Sequence, residues 1–321
     1  MAKRFARFIV GACVLASVLA GCAKIELPPY LRPLSKETIM LLGKKGMVLA
    51  SPIYIRLFKE ESELELWKQR EDGRFYHFKT YPICNWSGDL GPKFEQGDRQ
   101  APEGFYTIAK SQMNPHSKYH LAFNLGYPNA FDKANGRTGN FLMIHGKCKS
   151  AGCYAMTDAL MEEIYAIARE SFIGGQDSFQ VDAFPFKMTE ANMARHKSSP
   201  HYKFWRTLKE GYDYFELTRR PPQVLVCERR YIVNAETVQP VKVQPDGYCP
   251  RLRHLRPDPF VPLAGTQQAE HVVAQGPKVR VAGGAVMIDP ARSGASRVVG
   301  MDAGVGLGAS PGNLSLTGFD R

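Results

Sequence analysis

"FLMIHGKCKSAGCYAMTDALMEEIYAIARES", residues 141–171, decides how this chain folds. Its first six residues form an apolar run that predicts a buried strand ending at His145-Gly146. A turn of small residues follows, and then a helix begins. Thr157 suits the N-cap, and Asp158 suits the positive end of the helix dipole. Leu160, Ile164, Ile167 and Ala168 recur at helical spacing and form one apolar face. The stretch therefore reads strand, sharp turn, helix, with one histidine and two cysteines concentrated at the turn.

Upstream the pattern is mainly β. Residues 35–46, "SKETIMLLGKKG", predict a short helix with Ser35 as N-cap and Gly43 past its end. "MVLASPIYIRLF" is rich in β-branched and aromatic residues. "ELELWKQ" and "FYHFKTYPI" alternate on either side of the Asp72-Gly73 turn, a hairpin signal. Residues 84–104 hold six glycines or prolines and read as loop. "GFYTIAK" and "YHLAFNLGY" read as further strands. Downstream, "SPHYKFWRTLKEG" predicts a helix with Ser199 as N-cap, Pro200 at its first position and Gly211 as its stop. "QVLVCERRYIV" predicts one strand. Strands dominate the first half of the body and helices the second, which is an α+β class rather than a doubly wound parallel sheet. One domain is expected over 40–262, a Pro-rich tether over 22–39, and a low-complexity, disordered tail over 263–321.

The N-terminus bears on compartment. Lys3, Arg4 and Arg7 precede an uncharged apolar run, Phe8 to Ala20, which is shorter than a bilayer span and fits an export signal. It ends in "LAGC", Leu19 to Cys22, which resembles the bacterial lipobox. Residues 1–21 are then a signal peptide and Cys22 carries lipid. Ala23 follows in place of Asp, which by resemblance directs the protein to the outer membrane. In an oxidising periplasm there is no nucleic acid, so the formal charge of +11 suits an acidic polymer, the wall or an anionic membrane.

Seven cysteines are present. With Cys13 and Cys22 assigned to the signal and the lipid, five remain, and an odd number leaves one thiol over in an oxidising compartment. Three readings compete for the turn. A metal site from His145, Cys148 and Cys153 lacks a second Cys or His pair at ligand spacing, so no metal or cofactor is expected. A Cys148–Cys153 disulfide would close a tight loop around Ser150 and Gly152. In the catalytic reading, a strand end presents His145 and a small-residue turn presents Cys153. The imidazole takes the thiol proton and backbone N–H groups hold an oxyanion. Gly152 leaves the sulfur uncovered.

At these residues the sequence resembles the L,D-transpeptidase catalytic domain (YkuD-type) family. His145-Gly146 followed by Ser150-Ala151-Gly152-Cys153 fits the H-G…S-x-G-C signature. "QAPEGFYTI" (100–108) and "YHLAFNLGYPN" (119–129) resemble flanking family segments, and the likeness spans roughly residues 45–225. The resemblance implies a mixed, sandwich-like sheet fold with peripheral helices and a peptidoglycan enzyme. Cys153 would attack the L-centre carbonyl of meso-diaminopimelate and His145 would move the proton. The N–H groups of Gly152 and Cys153 would hold the oxyanion, with Gly146 and Ser150 shaping the site. Many members continue S-x-G-C-x-R; here Ala155 stands at the arginine position. The "C-x-A-M-T-D" ending resembles the YafK-like (DpaA) lipoprotein subgroup, which is associated with hydrolysis. That implies cleavage of the amide joining diaminopimelate to a lysine of a wall-bound outer-membrane lipoprotein. Cross-linking as a true L,D-transpeptidase is the alternative. A non-catalytic wall-binding lipoprotein is the alternative of another class, and the intact His145, Gly152 and Cys153 argue against it. No C-x-x-C pattern supports a thiol–disulfide oxidoreductase.

Pairing Cys84 with Cys148 and Cys227 with Cys249 would leave Cys153 free, although other connectivities remain open. Arg99, Tyr119, Asn124 and Tyr127 lie on segments that could touch substrate. His116 and His201 are expected in solvent, Trp205 is expected to pack its helix onto the sheet, and 251–258 is expected as a solvated basic linker.

Overall fold

The computed structural model describes residues 26–261 and two short paired strands, Arg280–Ala282 and Ala285–Met287. The signal segment, Cys22 and the rest of the expected tail lie outside the described residues. Two five-stranded sheets organise the body. The first contains β1 (Ile53–Phe58), β2 (Glu63–Gln69), β3 (Phe75–Pro82), β5 (Gly104–Ala109) and β10 (Ser178–Phe184), in the order β3-β2-β1-β10-β5. Only the β1–β10 pair is parallel. The second contains β4 (Asn85–Trp86), β6 (Met113–Ser117), β7 (His120–Asn124), β8 (Met143–His145) and β9 (Tyr154–Ala155), in the order β4-β9-β8-β7-β6. Its β8–β9 pair is parallel.

The period of two along β1 shows how the first sheet is covered. Ile53, Ile55 and Leu57 enter the main core, while Tyr54 and Phe58 enter clusters on the other face. All six β1 residues are buried. In chain order the α-helices among the described residues are α1 (Lys36–Lys44), α2 (Ala130–Ala134), α3 (Asp158–Ile173), α4 (Glu190–Arg195) and α5 (Tyr202–Thr218). The main core lies between the two sheets and is closed by α3, whose Leu160, Ile164, Ile167 and Ala168 are all buried there. Phe123 of β7 stacks on Tyr165 of α3 and meets Phe179 of β10 edge-on, so the helix and both sheets share one aromatic contact. The opposite face of the first sheet is covered by α5 (Tyr202–Thr218). There Trp205, Leu208 and Tyr212 bury against Phe58 and Phe184. The α+β class and its mixed, two-sheet character are as the sequence predicts.

Several local expectations are corrected. The first helix, α1 (Lys36–Lys44), is capped by the Ser35 hydroxyl as expected, but it runs through Gly43. Gly46, at φ +60°, is the glycine that turns the chain away. Gly211 lies inside α5, where a Cβ would come within 2.6 Å of Phe105. It is a glycine for close packing, and the helix stops instead at left-handed Arg219. Ser199 accepts the His201 N–H, one step before the helix begins at Tyr202.

Residues 223–233 form a hairpin, β11 (Val224–Cys227) and β12 (Arg230–Val233), rather than one strand. Glu228 and Arg229 both take positive φ, as a two-residue reversing turn requires. The basic 251–258 run contributes a short strand, Leu252–His254, paired with Ala235–Thr237. His201, expected in solvent, is half-buried with its ring 5.9 Å from that of Trp205. His116 is exposed, as expected. The described part of the tether is not free either. Arg169 donates to the carbonyls of Tyr30 (2.7 Å) and Arg32 (3.1 Å), and Arg32 is bonded to both carboxylate oxygens of Glu162.

Candidate active site

The second sheet builds the site. The β8–β9 register aligns Ile144 with Tyr154 and His145 with Ala155. One step back, Met143 is level with Cys153, and the Met143 N–H donates to Cys153 Sγ at 3.4 Å. Residues two apart on a strand share a face. Hence His145 and the thiol open onto the same cleft, of about 570 Å³, with Tyr119, Phe141, Met143 and Lys149 among its walls.

His145 Nδ1 lies 2.6 Å from the Gly146 carbonyl oxygen. A carbonyl only accepts, so Nδ1 carries the proton and Nε2 holds the free lone pair. That carbonyl is the orienting group, and it has no side-chain signature. Gly146 is itself enclosed. Its N–H donates to the Tyr119 carbonyl (3.0 Å), and a Cβ would come within 2.6 Å of Asp158 Oδ1. Asp158 does more than face the helix dipole: its carboxylate accepts the Lys147 N–H at 2.7 Å and pins the chain just past the histidine.

The turn that carries Cys153 is held by two serines. Ser150 Oγ donates to the Cys153 carbonyl (2.7 Å) and accepts the Cys153 N–H (3.1 Å). Ser150 therefore shapes the turn, and its single proton is committed away from His145. Ser87, absent from the sequence reading, accepts the Gly152 N–H at 2.5 Å and donates to the Arg99 carbonyl at 2.7 Å. The expected oxyanion donors, Gly152 and Cys153, thus already have acceptors. Gly152 takes φ +115°, a conformation that favours glycine. Disulfides join Cys84 to Cys148 and Cys227 to Cys249, and Cys153 is the free cysteine among the described residues. The first disulfide fastens the β4 loop carrying Ser87 to the turn after His145.

Both reactive groups are perturbed mainly by burial. Burial lowers the His145 pKa below 6.5, opposed by the bond to the Gly146 carbonyl. Burial raises the Cys153 thiol above 9.0, opposed by the Met143 N–H and the charge of Lys93. Both shifts disfavour charge and so favour neutral thiol beside neutral imidazole over a resting ion pair.

Of the four expected contact residues, Tyr119 lines the cleft, with its ring 4.7 Å from the His145 ring. The other three do not. Arg99 is exposed and left-handed, and its carbonyl serves Ser87. Asn124 caps the Gly126 N–H. Tyr127 is buried, with its hydroxyl donating to the Lys93 carbonyl. Sequence spacing placed them near the site, but strand alternation and turn geometry send them elsewhere. Ser87 was missed because its partners in the Cys153 turn, Ser150 and Gly152, lie 63 and 65 residues away. No group of three or more metal-ligating side chains exists among the described residues.

The class is a two-sheet α+β domain with a free Cys and a His on one cleft, and comparison gives the family. Residues 68–181 match the L,D-transpeptidase catalytic domain (YkuD). The chain is 45% identical over 233 residues to YafK of Escherichia coli (strain K12), provisionally named an L,D-transpeptidase. The alignment covers 71% of this chain and 94% of YafK. The chain belongs to the L,D-transpeptidase family. Among solved structures, it is similar to the helical cell shape determining protein Pgp2 of Campylobacter jejuni, at 18% identity and TM-score 0.34. That match covers 59% of this chain and 79% of Pgp2. Bd1075 of Bdellovibrio bacteriovorus is also similar, at 18% identity and TM-score 0.30, covering 52% of this chain and 57% of Bd1075.

Proposed function

We infer that this L,D-transpeptidase-family chain is a lipid-anchored periplasmic enzyme that cuts peptidoglycan stem peptides through a Cys153 thioester. Its main reaction on this reading is hydrolysis of the amide between meso-diaminopimelate and the lysine of a wall-bound lipoprotein. The observation that carries the reading is the His145 tautomer: with Nδ1 donating to Gly146, Nε2 is left as a base on the cleft that holds the free thiol.

Cys153 Sγ attacks the L-centre carbonyl while its proton passes to His145 Nε2. The new oxyanion takes the N–H groups of Gly152 and Cys153 as the serine hydroxyls give way. The C–N bond then breaks and the imidazolium returns the proton to the leaving amine. Water adds to the thioester, the acid departs and the thiol is restored. Lys118 and Lys149 on the cleft supply cations suited to a carboxylate-bearing stem. Ala155 and the "C-x-A-M-T-D" ending favour hydrolysis. The 45% identity to a protein named as a transpeptidase supports the second reading, in which an amine resolves the same thioester.

The test is mass spectrometry of lipoprotein-bearing muropeptides incubated with the mature chain or with Cys153→Ala. Loss of the lipoprotein remnant with wild type alone supports the hydrolase. New diaminopimelate–diaminopimelate cross-links or exchanged terminal D-amino acids support the transpeptidase. No Cys153-dependent change with either substrate rejects both and leaves a wall-binding lipoprotein.

A further inference from the structure

Helix α1 presents a face that the active site does not use. Thr38 and Leu42 point inward and are buried. On the other side, Ile39 is 43% and Met40 65% exposed, and a Cβ on Gly43 would meet open space. The 3.6-residue period groups positions 36, 39, 40, 43 and 44 on this outward side. Lys36 and Lys44 bracket it, and both are exposed. Leu27 and Leu31 before the helix, and Val48 after it, are also exposed apolar side chains. Apolar residues flanked by lysines whose stems can lie along them while the ammonium groups stay wet are the composition of a surface that enters a lipid headgroup layer.

The attachment of the preceding segment points to the same occupant. Residues 27–34 are not a loose leash. Arg32 pairs with Glu162, Arg169 holds the carbonyls of Tyr30 and Arg32, and Tyr30 and Leu34 pack against the core. Cys22 precedes Leu27 by five residues, a reach of at most about 18 Å. A lipid on Cys22 would therefore hold Leu27, nine residues before α1, within one short span of the membrane. Without Lys3, Arg4 and Arg7 of the signal, the mature chain keeps 39 basic against 31 acidic residues, a formal charge of +8 that complements an anionic headgroup layer.

We propose that the outward face of α1, with Leu27, Leu31 and Val48, seats on an anionic phospholipid bilayer. The position of that bilayer rests on the lipidation reading of Cys22; the surface does not. The Tyr30 ring lies 5.5 Å from that of His116, between Asn114 and Ser117 of the cleft wall. This contact ties the anchored segment before α1 to one edge of the cleft.

The test uses the mature chain from Ala23 to Arg321 without lipid, floated with vesicles of phosphatidylethanolamine and phosphatidylglycerol. Wild type is expected to partition with them. The double variant Ile39→Asp, Met40→Asp should reduce partition by about tenfold or more, with its unfolding midpoint unchanged. Lys36→Glu with Lys44→Glu should weaken binding most at low salt. The proposal fails if wild type does not bind vesicles. It also fails if the Asp variant binds as well as wild type, or if the same two residues instead govern binding to purified wall sacculi. The mass of the exported chain's N-terminus tests the lipid on Cys22 separately, so either idea can fall without the other.

Discussion

The two sheets solve the same problem differently. The first has strands of six to eight residues in β1, β2, β3, β5 and β10. It buries both faces and even encloses charge. Arg56 bonds Glu65 within the α5-facing layer, and Lys59 lies 3.0 Å from Glu103 with both side chains fully buried. Such a sheet is held by packing and paired polar groups along its whole length. The second sheet has strands of two to five residues and carries both reactive side chains. Ladders that short cannot fix a thiol and an imidazole by themselves. They are supplemented by a disulfide, two serine hydroxyls and the Asp158 carboxylate. The scaffold is therefore continuous, while the site depends on a few separate ties, each of which can be cut.

Cutting the chemistry should have the largest effect. Cys153→Ala is expected to lower turnover by at least about a thousandfold, with the unfolding midpoint nearly unchanged because Cys153 is only partly buried. Coupled activity and thermal unfolding measurements check this, and a retained rate would remove Cys153 from the reaction. Cutting the Cys84–Cys148 tie should affect stability and activity together. The bond closes a 64-residue separation, and its loss in a Cys84→Ser, Cys148→Ser variant should cost roughly 2–4 kcal/mol. It should also lower activity, because the Ser87 loop loses its anchor. Cutting Cys227–Cys249, away from the second sheet, should lower stability with little change in the rate of the remaining folded enzyme. Equal rate losses for the two disulfides would contradict the division between scaffold and site.

A finer cut is Ser87→Ala. It removes the nearer acceptor of the Gly152 N–H, leaving Ser150 Oγ at 3.3 Å, and frees the Arg99 carbonyl. A lost polar partner of this kind costs on the order of 1–3 kcal/mol. If part of that appears in the positioning of the nucleophile, turnover should fall about tenfold with KM little changed, and Ser87→Thr should restore most of it. A KM effect alone would make Ser87 a substrate contact.

The sequence disclosed these features unevenly, for physical reasons. The Asp72-Gly73 hairpin and the 158–173 helix were legible because turn chemistry and apolar period are local. β10 carries its own local signal, with Phe179, Val181 and Ala183 alternating with Ser178, Gln180 and Asp182, but its parallel place beside β1 is set by partners more than a hundred residues away. Helix ends were misplaced where a glycine served packing, as at Gly211, rather than termination. In the site, His145 and Cys153 stand in one short motif and could be read directly. Ser87 could not, since its hydroxyl acts across more than sixty residues of chain. The carbonyl of Gly146 could not either, since every residue has one. Arg99, Asn124 and Tyr127 misled because closeness along the chain does not say which way a side chain points.

The smallest expected effect concerns protons. Burial is the leading influence on both reactive groups, and it disfavours charge on each: His145 moves down and Cys153 moves up. A protonated His145 cannot accept the thiol proton. With its pKa below 6.5, the free base persists further into acid, so the acid limb of kcat/KM should lie below the ordinary imidazole range. On the alkaline side, activity should hold until the thiol ionises above 9.0, because a thiolate beside neutral imidazole leaves no proton for the departing amine. The profile should be a broad plateau. A preformed thiolate–imidazolium pair requires the reverse shifts, thiol down and imidazole up. Alkylation of Cys153 by iodoacetamide across pH separates the two. For the neutral pair the rate should stay low through neutral pH and climb only in alkali, with little change in His145→Ala. A fast neutral-pH rate that His145→Ala abolishes would mean that the short sheet stabilises an ion pair that its burial opposes.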